Sequence, residues 1–282
     1  FFFQPHAGIR DSVASRGLGD VYKRQHQSHI IMSYNIRYDN NWDLKNSWLI
    51  RKNKVIQIFD QYSPSIIGVQ EGVLNQVQYI DSCLTNYDYV GVGRDDGKEQ
   101  GEFCVIYFDT TRYTVSRDST FWLSEDPDTI SVGWDAALER ICTYALFKER
   151  KTTDQFWVFN THFDHMGSIA RERSSELILD RIDRVNRCGL PVILMADFNT
   201  VPDSPPIDKL KTERSDALNI SREEFQGPSG TFNGFDSDLP MERRIDYIFT
   251  KNVKVLSYTH INERMNNNRH ISDHLPVMVK IQ

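Results

Sequence analysis

The sequence lacks several features that would assign the protein to a class at once. It has only 4 cysteines in 282 residues, with neither a Cys-x-x-Cys pair nor a Cys/His spacing, so we expect no zinc site and no disulfide framework. Its apolar runs are much shorter than the roughly 20 residues that span a bilayer. No repeat and no low-complexity stretch follows Ser28. We therefore expect a soluble globular protein, and its compartment stays unknown.

Positive charge is not in excess either. The formal net charge of −6 and a pI near 5.8 argue against a protein that wraps nucleic acid by electrostatic attraction alone. An acidic enzyme can still act on a phosphodiester if a bound cation supplies the positive charge. The hydrophobic content of 39% is enough for a sizeable core, and we expect a monomer.

The first residues differ from the rest of the chain. Residues 1–28 show no periodicity, and Ser15–Gln25 resembles translated library-adapter sequence. We therefore expect 1–28 to be a non-native or disordered segment. Residues 29–282 are predicted to form a single catalytic domain.

Hydrophobic periodicity predicts an α/β domain. Strands are expected at 29–36 and 65–70, each followed by a helix, at 47–62 and 73–84. Buried faces that include Leu49 on the first helix and Ile169 on a later helix, 168–187, are expected from the spacing of apolar residues. Stretches rich in β-branched and aromatic residues predict further strands at 87–93, 103–108, 114–122, 140–148, 156–161, 192–196, 244–249, 253–260 and 275–281.

The strand at 192–196 ends in a carboxylate and an amide. Asp197 and Asn199 follow the apolar run directly, before the Pro-rich stretch 201–206, which is expected to form a turn. At the mouth of a buried strand, these two groups could hold a cation or a water. They could equally be residues that start the next loop, as Asp and Asn often do.

Polar side chains also follow the other buried runs. Ligands of open sheets gather beyond strand ends, so these side chains are expected to converge. Carboxylate oxygens suit Mg²⁺, and histidines can bind or protonate phosphate oxygens. Each residue alone could be a turn residue, a helix cap or a half-buried histidine, whereas together they predict a metal-assisted phosphoryl site. They are Asn35, Gln70 with Glu71, His162 with Asp164 and His165, Asp197 with Asn199, and Asp273 with His274.

Asp246 lies within an otherwise apolar strand. An unpaired buried carboxylate is costly, so this residue is expected to pair with a cationic group, and a histidine is the candidate.

These residues form ordered motifs that resemble the endonuclease/exonuclease/phosphatase superfamily. The motifs are Asn35, Gln70-Glu71, Asn160-Thr-His162, Ala196-Asp-Phe-Asn199, Arg244-Ile-Asp-Tyr247 and Ser272-Asp-His274. The resemblance extends from about His29 to Gln282. It implies an α/β fold, a four-layer sandwich of two packed mixed β-sheets flanked by helices.

The resemblance also implies roles at the metal and at the water. Glu71 would be the main Mg²⁺ ligand, with Asn35 and Asp273 as further ligands, and Mn²⁺ could substitute. Asp197 would orient or deprotonate the attacking water, and Asn199 would fix it.

At the phosphate, His274 would bind the scissile group and would be kept charged by Asp246. His162 would hydrogen-bond the phosphate or assist the leaving group. Arg140 matches a family arginine that faces the site, although its position at a strand start also allows a surface role. The remaining phosphate-binding set is Asn35 and His165.

The implied activity is Mg²⁺-dependent hydrolysis of a phosphoester by in-line attack of an activated water. A phosphodiesterase is expected, with nucleic acid as one candidate substrate. A phosphomonoesterase, or a sphingomyelinase-like enzyme acting on a lipid phosphate, is the alternative. Arg243-Arg-Ile-Asp-Tyr247 replaces the Trp-Cys-Asp-Arg signature of inositol phosphatases, which disfavours that branch.

Two other classes stay open on the residues alone. One is a carboxylate-pair glycosidase, and the other is a catalytically silent binding module on the same fold. The loop 91–101 and the aromatic segments 121–124 and 133–135 are expected either to wall the substrate site or to be hairpin turns and core.

Overall fold

The computed structural model describes residues 28–236 and 238–282. Most of the segment predicted to be non-native or disordered therefore lies outside the described residues. The described strands form two six-stranded sheets. The first sheet contains β1 (His29–Asn35), β2 (Ile66–Gly72), β3 (Tyr87–Val90), β4 (Phe103–Asp109), β11 (Val255–His260) and β12 (Val277–Ile281). The second contains β5 (Tyr113–Trp122), β6 (Ile141–Glu149), β7 (Gln155–His162), β8 (Val192–Asp197), β9 (Ser215–Asp216) and β10 (Asp246–Lys251).

Helices connect the strands and cover the sheets. They are α1 (Trp48–Tyr62), α2 (Leu74–Cys83), α3 (Ser168–Val185), α4 (Pro205–Lys211) and α5 (Ala217–Ile220), with a short 3-10 turn at Leu44–Asn46. In the part of the chain that the structure describes, none of the helices is both long and apolar enough to cross a membrane.

Both sheets are mixed. The strand order is β11-β12-β1-β2-β4-β3 in the first sheet and β5-β6-β7-β8-β10-β9 in the second. β1 runs parallel to β2, and β7 runs parallel to β8. Parallel neighbours need a crossover connection, which α1 provides in the first sheet and α3 in the second. The carboxyl ends of each parallel pair therefore open on one edge of its sheet.

Three apolar layers hold the sandwich together. Ile193 and Met195 of β8 point into the core between the sheets. Leu194 and Ala196, which alternate with them, pack under α3 and α4. A third core lies between the first sheet and helices α1 and α2. A strand buried on both faces reads as a continuous apolar run, and the predicted four-layer sandwich is confirmed.

The predicted helix faces were wrong at two positions. Leu49 is 74% exposed and Ile169 is 55% exposed. On α1 the buried face includes Arg51, which is 1% exposed because its guanidinium donates to the carbonyls of Ile36 and Ile271. On α3 it includes Ser174. The buried faces of α1 and α3 therefore include polar residues, and for this reason they differ from the faces predicted from the spacing of apolar residues.

Several element boundaries were also wrong, and two of them have a clear cause. The Pro-rich stretch 201–206 is not a turn throughout, because Pro205 and Pro206 begin α4. Proline suits the first turn of a helix, where the missing N–H has no helical partner in any case. β10 begins at Asp246 and not two residues earlier, because the Thr231 hydroxyl accepts the backbone N–H groups of Ile245 and Asp246.

Candidate active site

The strand register brings the predicted site residues into one row. His162 of β7 lies beside Asp197 of β8, and Asp246 of β10 lies beside Asp197 on the other side. In the first sheet, Asn35 pairs with Gln70, the residue before Glu71. The polar residues that follow the strands therefore lie at the rim of the sandwich, the edge where β1, β2, β7 and β8 end.

Glu71 is placed by an irregularity of β2. The register of β2 against β4 shifts between Val69 and Gly72, and Glu71 itself has a φ of 60°. Such bulges redirect a side chain out of the regular alternation, and a left-handed non-glycine residue carries strain that surrounding contacts must offset. One of those contacts is the backbone N–H of Tyr38, which donates to Glu71 Oε2 at 3.2 Å.

Asn35 links the two sheets at the rim. Its Nδ2 donates to Glu71 Oε1 and to Asp197 Oδ2, each at 2.9 Å, and lies 3.4 Å from His274 Nε2. Its Oδ1 accepts the backbone N–H of Arg37 at 3.0 Å. In this structure Asn35 acts as a donor between carboxylates, and its role as a metal ligand stays a prediction.

Asp197 is a buried carboxylate among donors. It is 1% exposed. Its Oδ1 accepts the backbone N–H of Asn199 at 2.9 Å, while Oδ2 lies 3.6 Å from His274 Nε2 and 3.5 Å from His162 Nε2. Burial is the main reason why the pKa of Asp197 is raised above its ordinary value. A carboxylate of raised pKa that is held in fixed geometry is suited to accept a proton from water.

His274 and Asp246 form a buried pair. Nδ1 of His274 lies 2.9 and 3.1 Å from the two Asp246 oxygens. Burial disfavours the charged imidazole, but the carboxylates of Asp246 and Asp197 overcome it and raise the pKa of His274 well above its ordinary value. The expected partner of Asp246 is therefore confirmed as a histidine, and the ring is positively charged at neutral pH.

His162 lies on the other side of Asp197 from His274. Its Nδ1 faces Arg140 Nη1 at 3.1 Å, and its Nε2 lies 2.9 Å from Asn199 Nδ2. Burial, with Arg140 as the second cause, lowers the pKa of His162 to about 3. The two histidines that flank Asp197 thus differ in charge.

Arg140 and His165 complete that side of the site. Arg140 is 4% exposed, so the surface role considered for it is wrong. Its Nη2 lies 3.0 Å from His165 Nδ1, and its Nε donates to Asp164 Oδ2 at 3.3 Å. His165 is the most open of these groups, because 49% of its side chain is exposed.

Most of these groups line one pocket of about 420 Å³, whereas Asn35, Asp164 and Asp246 contact lining residues without lining the pocket themselves. Sequence reasoning missed several residues of its wall. Arg37, whose guanidinium lies 3.9 Å from both Glu71 and Asp273, follows Asn35 by two positions, and its place after a strand end could have indicated it. Loop packing alone brings the other missed wall residues here, and these are Tyr38, Glu102, Leu138 and Phe232.

Glu102 is a wall residue of the pocket that Arg94 holds in place. Arg94 donates to both of its oxygens, at 2.8 and 3.1 Å, and Glu102 Oε2 lies 3.6 Å from His162 Nδ1. Arg94 belongs to the loop 91–101, which was expected to be a substrate wall or a turn, and Glu102 follows that loop directly. The loop supports Glu102 without lining the pocket itself, whereas Phe121 and Leu123 of the aromatic segment pack in the core.

The donor set fits a hard divalent cation. Glu71, Asp197 and Asp273 are carboxylates within one pocket. Burial raises the pKa of Asp273, and the nearby Glu71 charge adds to the rise, so a cation between them would relieve their repulsion. Ligand atoms of Glu71, His162 and Asp197 also lie within 4.8 Å of one another. Oxygen-rich sets of this kind suit Mg²⁺ or Mn²⁺.

Comparisons with known proteins point to one family. The profile of the Endonuclease/Exonuclease/phosphatase family matches residues 32–274. The uncharacterized protein L388 of Acanthamoeba polyphaga mimivirus is 29% identical over 256 residues, which cover 82% of this chain and 91% of that protein. The probable RNA exonuclease NGL3 of Saccharomyces cerevisiae is 26% identical over 173 residues, 56% of this chain and 33% of that protein.

Among solved structures, the mannosyl-6-phosphatase Bt3783 of Bacteroides thetaiotaomicron VPI-5482 superposes with a TM-score of 0.86 at 35% identity. The match covers 90% of this chain and 99% of that chain.

Proposed function

Because the chain belongs to the endonuclease/exonuclease/phosphatase family, we propose that it is a metal-dependent hydrolase that cleaves a phosphoester by in-line attack of water. Members of this family are generally hydrolases of phosphoesters. The observation that carries the proposal is the hydrogen-bonded His274–Asp246 pair beside Asp197, in the pocket that also holds Glu71 and Asp273.

Asp197 is the proposed base. Its two oxygens are held by Asn35 and by the backbone of Asn199, so the carboxylate cannot rotate freely. It would take a proton from water as the water oxygen bonds to phosphorus and the bond to the leaving oxygen breaks. The Asn199 side chain, which donates to the carbonyl of Phe163, is the proposed anchor for the water and the phosphate.

His274 is the proposed phosphate ligand. As an imidazolium held by Asp246, it would donate from Nε2 to a non-bridging oxygen, where negative charge develops. Its ring also packs against Phe232, with centroids 4.8 Å apart, so its orientation is fixed before substrate arrives. His162, Arg140 and His165 line the wall beside it and are proposed to contact the phosphate or the leaving group.

Glu71 and Asp273, with Asn35 in reach of Glu71, are the proposed metal-binding residues. A bound Mg²⁺ or Mn²⁺ would supply positive charge to the phosphate oxygens. Arg37 places a guanidinium between the same carboxylates, and this side chain must share them with the cation.

Within this reaction class, we favour a phosphomonoester of a small polar molecule such as a sugar phosphate. The pocket has a volume of about 420 Å³, which suits a compact substrate that can be enclosed in it. The 35% identity over nearly the whole length of a mannosyl-6-phosphatase supports the same class. Nucleic acid is the second candidate, which the similarity to a probable RNA exonuclease favours.

A substrate panel separates the candidates. Purified protein would be given mannose 6-phosphate, glucose 6-phosphate, bis-p-nitrophenyl phosphate, single-stranded RNA and sphingomyelin, each with Mg²⁺, Mn²⁺ or EDTA. We expect metal-dependent phosphate release from a sugar phosphate with a higher kcat/KM than for any diester. Faster cleavage of RNA than of every monoester would instead establish the nuclease.

A further inference from the structure

One guanidinium in the catalytic pocket faces two imidazoles. Arg140 Nη1 lies 3.1 Å from Nδ1 of His162, and Nη2 lies 3.0 Å from Nδ1 of His165. The carboxylates that could otherwise accept a hydrogen from these nitrogens are farther away. Glu102 is 3.6 Å from the first Nδ1, and Asp164 is 3.9 Å from the second. The nearest partner of both Nδ1 atoms is therefore the same arginine.

An arginine fixes the hydrogen of such a ring. A guanidinium has N–H donors and no acceptor, and it does not lose its charge in proteins. Each Nδ1 must therefore offer its lone pair to Arg140. In a neutral imidazole, the single hydrogen is then on Nε2, at the opposite edge of the ring.

Arg140 is itself held in place. Its Nε donates to Asp164, whose other oxygen accepts the backbone N–H groups of Met166 and Gly167 at 2.9 and 2.7 Å. Although burial opposes it, those backbone donors, together with Arg140, lower the pKa of Asp164 to about 2. The guanidinium thus has a fixed, ionised anchor, and its planar fork determines where Nη1 and Nη2 point.

At His162 a second donor competes for the lone pair. Asn199 Nδ2 lies 2.9 Å from Nε2, which would favour the opposite tautomer. The same Nδ2 also donates to the carbonyl of Phe163. A hydrogen bond from a charged donor is stronger than one from a neutral donor. Arg140 therefore determines the tautomer of His162, and Asn199 Nδ2 cannot donate to the protonated Nε2.

We propose that Arg140 is a positioning residue that keeps His162 and His165 as Nε2–H tautomers, so that both rings present hydrogen-bond donors to the catalytic pocket. These Nε2–H groups could donate to the oxygen atoms of a phosphoester and of its leaving group. This use of the two donors rests on the proposed function. A protonated Nε2 cannot bind a metal. In the group formed by Glu71, His162 and Asp197, only the carboxylate oxygens would then remain as possible metal ligands.

The tautomers can be read without any substrate. Long-range ¹H–¹⁵N correlation spectra of the metal-free, ¹⁵N-labelled protein distinguish protonated from unprotonated ring nitrogens. His162→Gln and His165→Gln variants assign the two signal sets. We expect Nε2 to carry the hydrogen in both rings of the unmodified protein. A hydrogen on Nδ1 of either ring would overturn the proposal.

Substitution of the arginine tests the cause. Arg140→Met removes all donors, and we expect both rings to become mixtures of tautomers. Arg140→Lys keeps the charge but loses the planar fork that points one nitrogen at each ring, so we expect weaker control of both tautomers. It also serves if the first variant does not fold. Arg171→Met is the matched control, because Arg171 contacts the same turn through the carbonyl of Asp164 and neither histidine. Unchanged tautomers in both Arg140 variants would refute the positioning role.

Activity provides the second readout. Partners that orient a site residue typically matter by about 10–100-fold, so kcat/KM of Arg140→Met should fall by that range while Arg171→Met stays near normal. If the unmodified protein hydrolyses no phosphoester, the proposed function fails, whereas the spectra still decide whether Arg140 fixes the two tautomers.

Discussion

Replacement of Asp246 by Asn removes one negative charge from beside His274 and changes little else in shape. In the unmodified protein, both Asp246 oxygens lie within 3.1 Å of Nδ1 of the ring. The carboxylates that remain near the ring are Asp197, at 3.6 Å, and Asp273. Because burial disfavours the imidazolium, the pKa of His274 should fall markedly in the variant. The ring should then be largely neutral at pH 8.

The size of the effect follows from the loss of that charge at the phosphate. Removal of one well-placed donor from a site that stabilises developing charge typically costs about 10²–10³ in rate, or about 2.7–4 kcal/mol. In the variant the charged fraction falls about tenfold per pH unit above the new pKa. Activity should therefore recover as the pH is lowered. The unmodified protein should show no such recovery, because the pKa of its His274 lies well above 6.5.

The assay is kcat/KM for p-nitrophenyl phosphate at saturating Mg²⁺ between about pH 6 and 8.5, the interval in which an ordinary histidine titrates. Thr231→Val is the matched control. It deletes the hydroxyl that donates to Asp246 Oδ2 at 2.5 Å and keeps the charge, so we expect less than about a tenfold loss. If Asp246→Asn retains the pH profile of the unmodified protein with near-normal kcat/KM, the charged role of His274 is wrong.

Three further predictions follow from the same structure. His260 donates to the Pro228 carbonyl and has a pKa lowered to about 4, mainly by burial. Its neutral form is favoured by folding, so its contribution to stability is present above about pH 6.5 and is lost as the pH falls towards 4. Chemical denaturation of His260→Asn should therefore lose about 2 kcal/mol less between pH 7 and 5 than the unmodified protein does, and equal losses would contradict the assignment. Asn160 donates to two carbonyls of the first sheet and accepts from Gln70 at 2.6 Å, so Asn160→Leu should lower the free energy of unfolding by about 2–5 kcal/mol; a loss below about 1 kcal/mol would refute this. Mg²⁺ at about 100 times its Kd should stabilise the unmodified protein by about 2.7 kcal/mol, and Glu71→Gln should lose most of that gain in a thermal shift assay; an undiminished shift would exclude Glu71 as a ligand.

Much of the architecture could be predicted because strands buried on both faces leave a plain pattern. The run that ends in Asp197 is apolar throughout, since alternate residues serve the core between the sheets and the core under α3 and α4. The pairing of Asp246 with a histidine could also be inferred, because a buried carboxylate needs a partner. Both inferences use the local sequence and one strong energetic rule.

The parts that could not be predicted depend on long-range packing. Glu102 enters the pocket only because Arg94 and the loop between them fold against it. Arg51 looks like a surface residue of α1, yet it satisfies carbonyls far away in the sequence. The pairing of one arginine with two histidines likewise brings Arg140, the residue before β6, to the end of β7 and the turn after it, and no spacing along the chain indicates it.

The central claim is that Asp197 and a bound divalent cation hydrolyse a phosphoester in this pocket. The most direct measurement is phosphate or nitrophenol release from p-nitrophenyl phosphate and its bis ester by metal-stripped protein, before and after addition of Mg²⁺, for the unmodified chain and for Asp197→Ala. We expect release only with the metal, and a loss of about 10² or more in Asp197→Ala, whose circular dichroism should be unchanged. Activity that survives EDTA, or near-normal turnover in Asp197→Ala, would contradict the account.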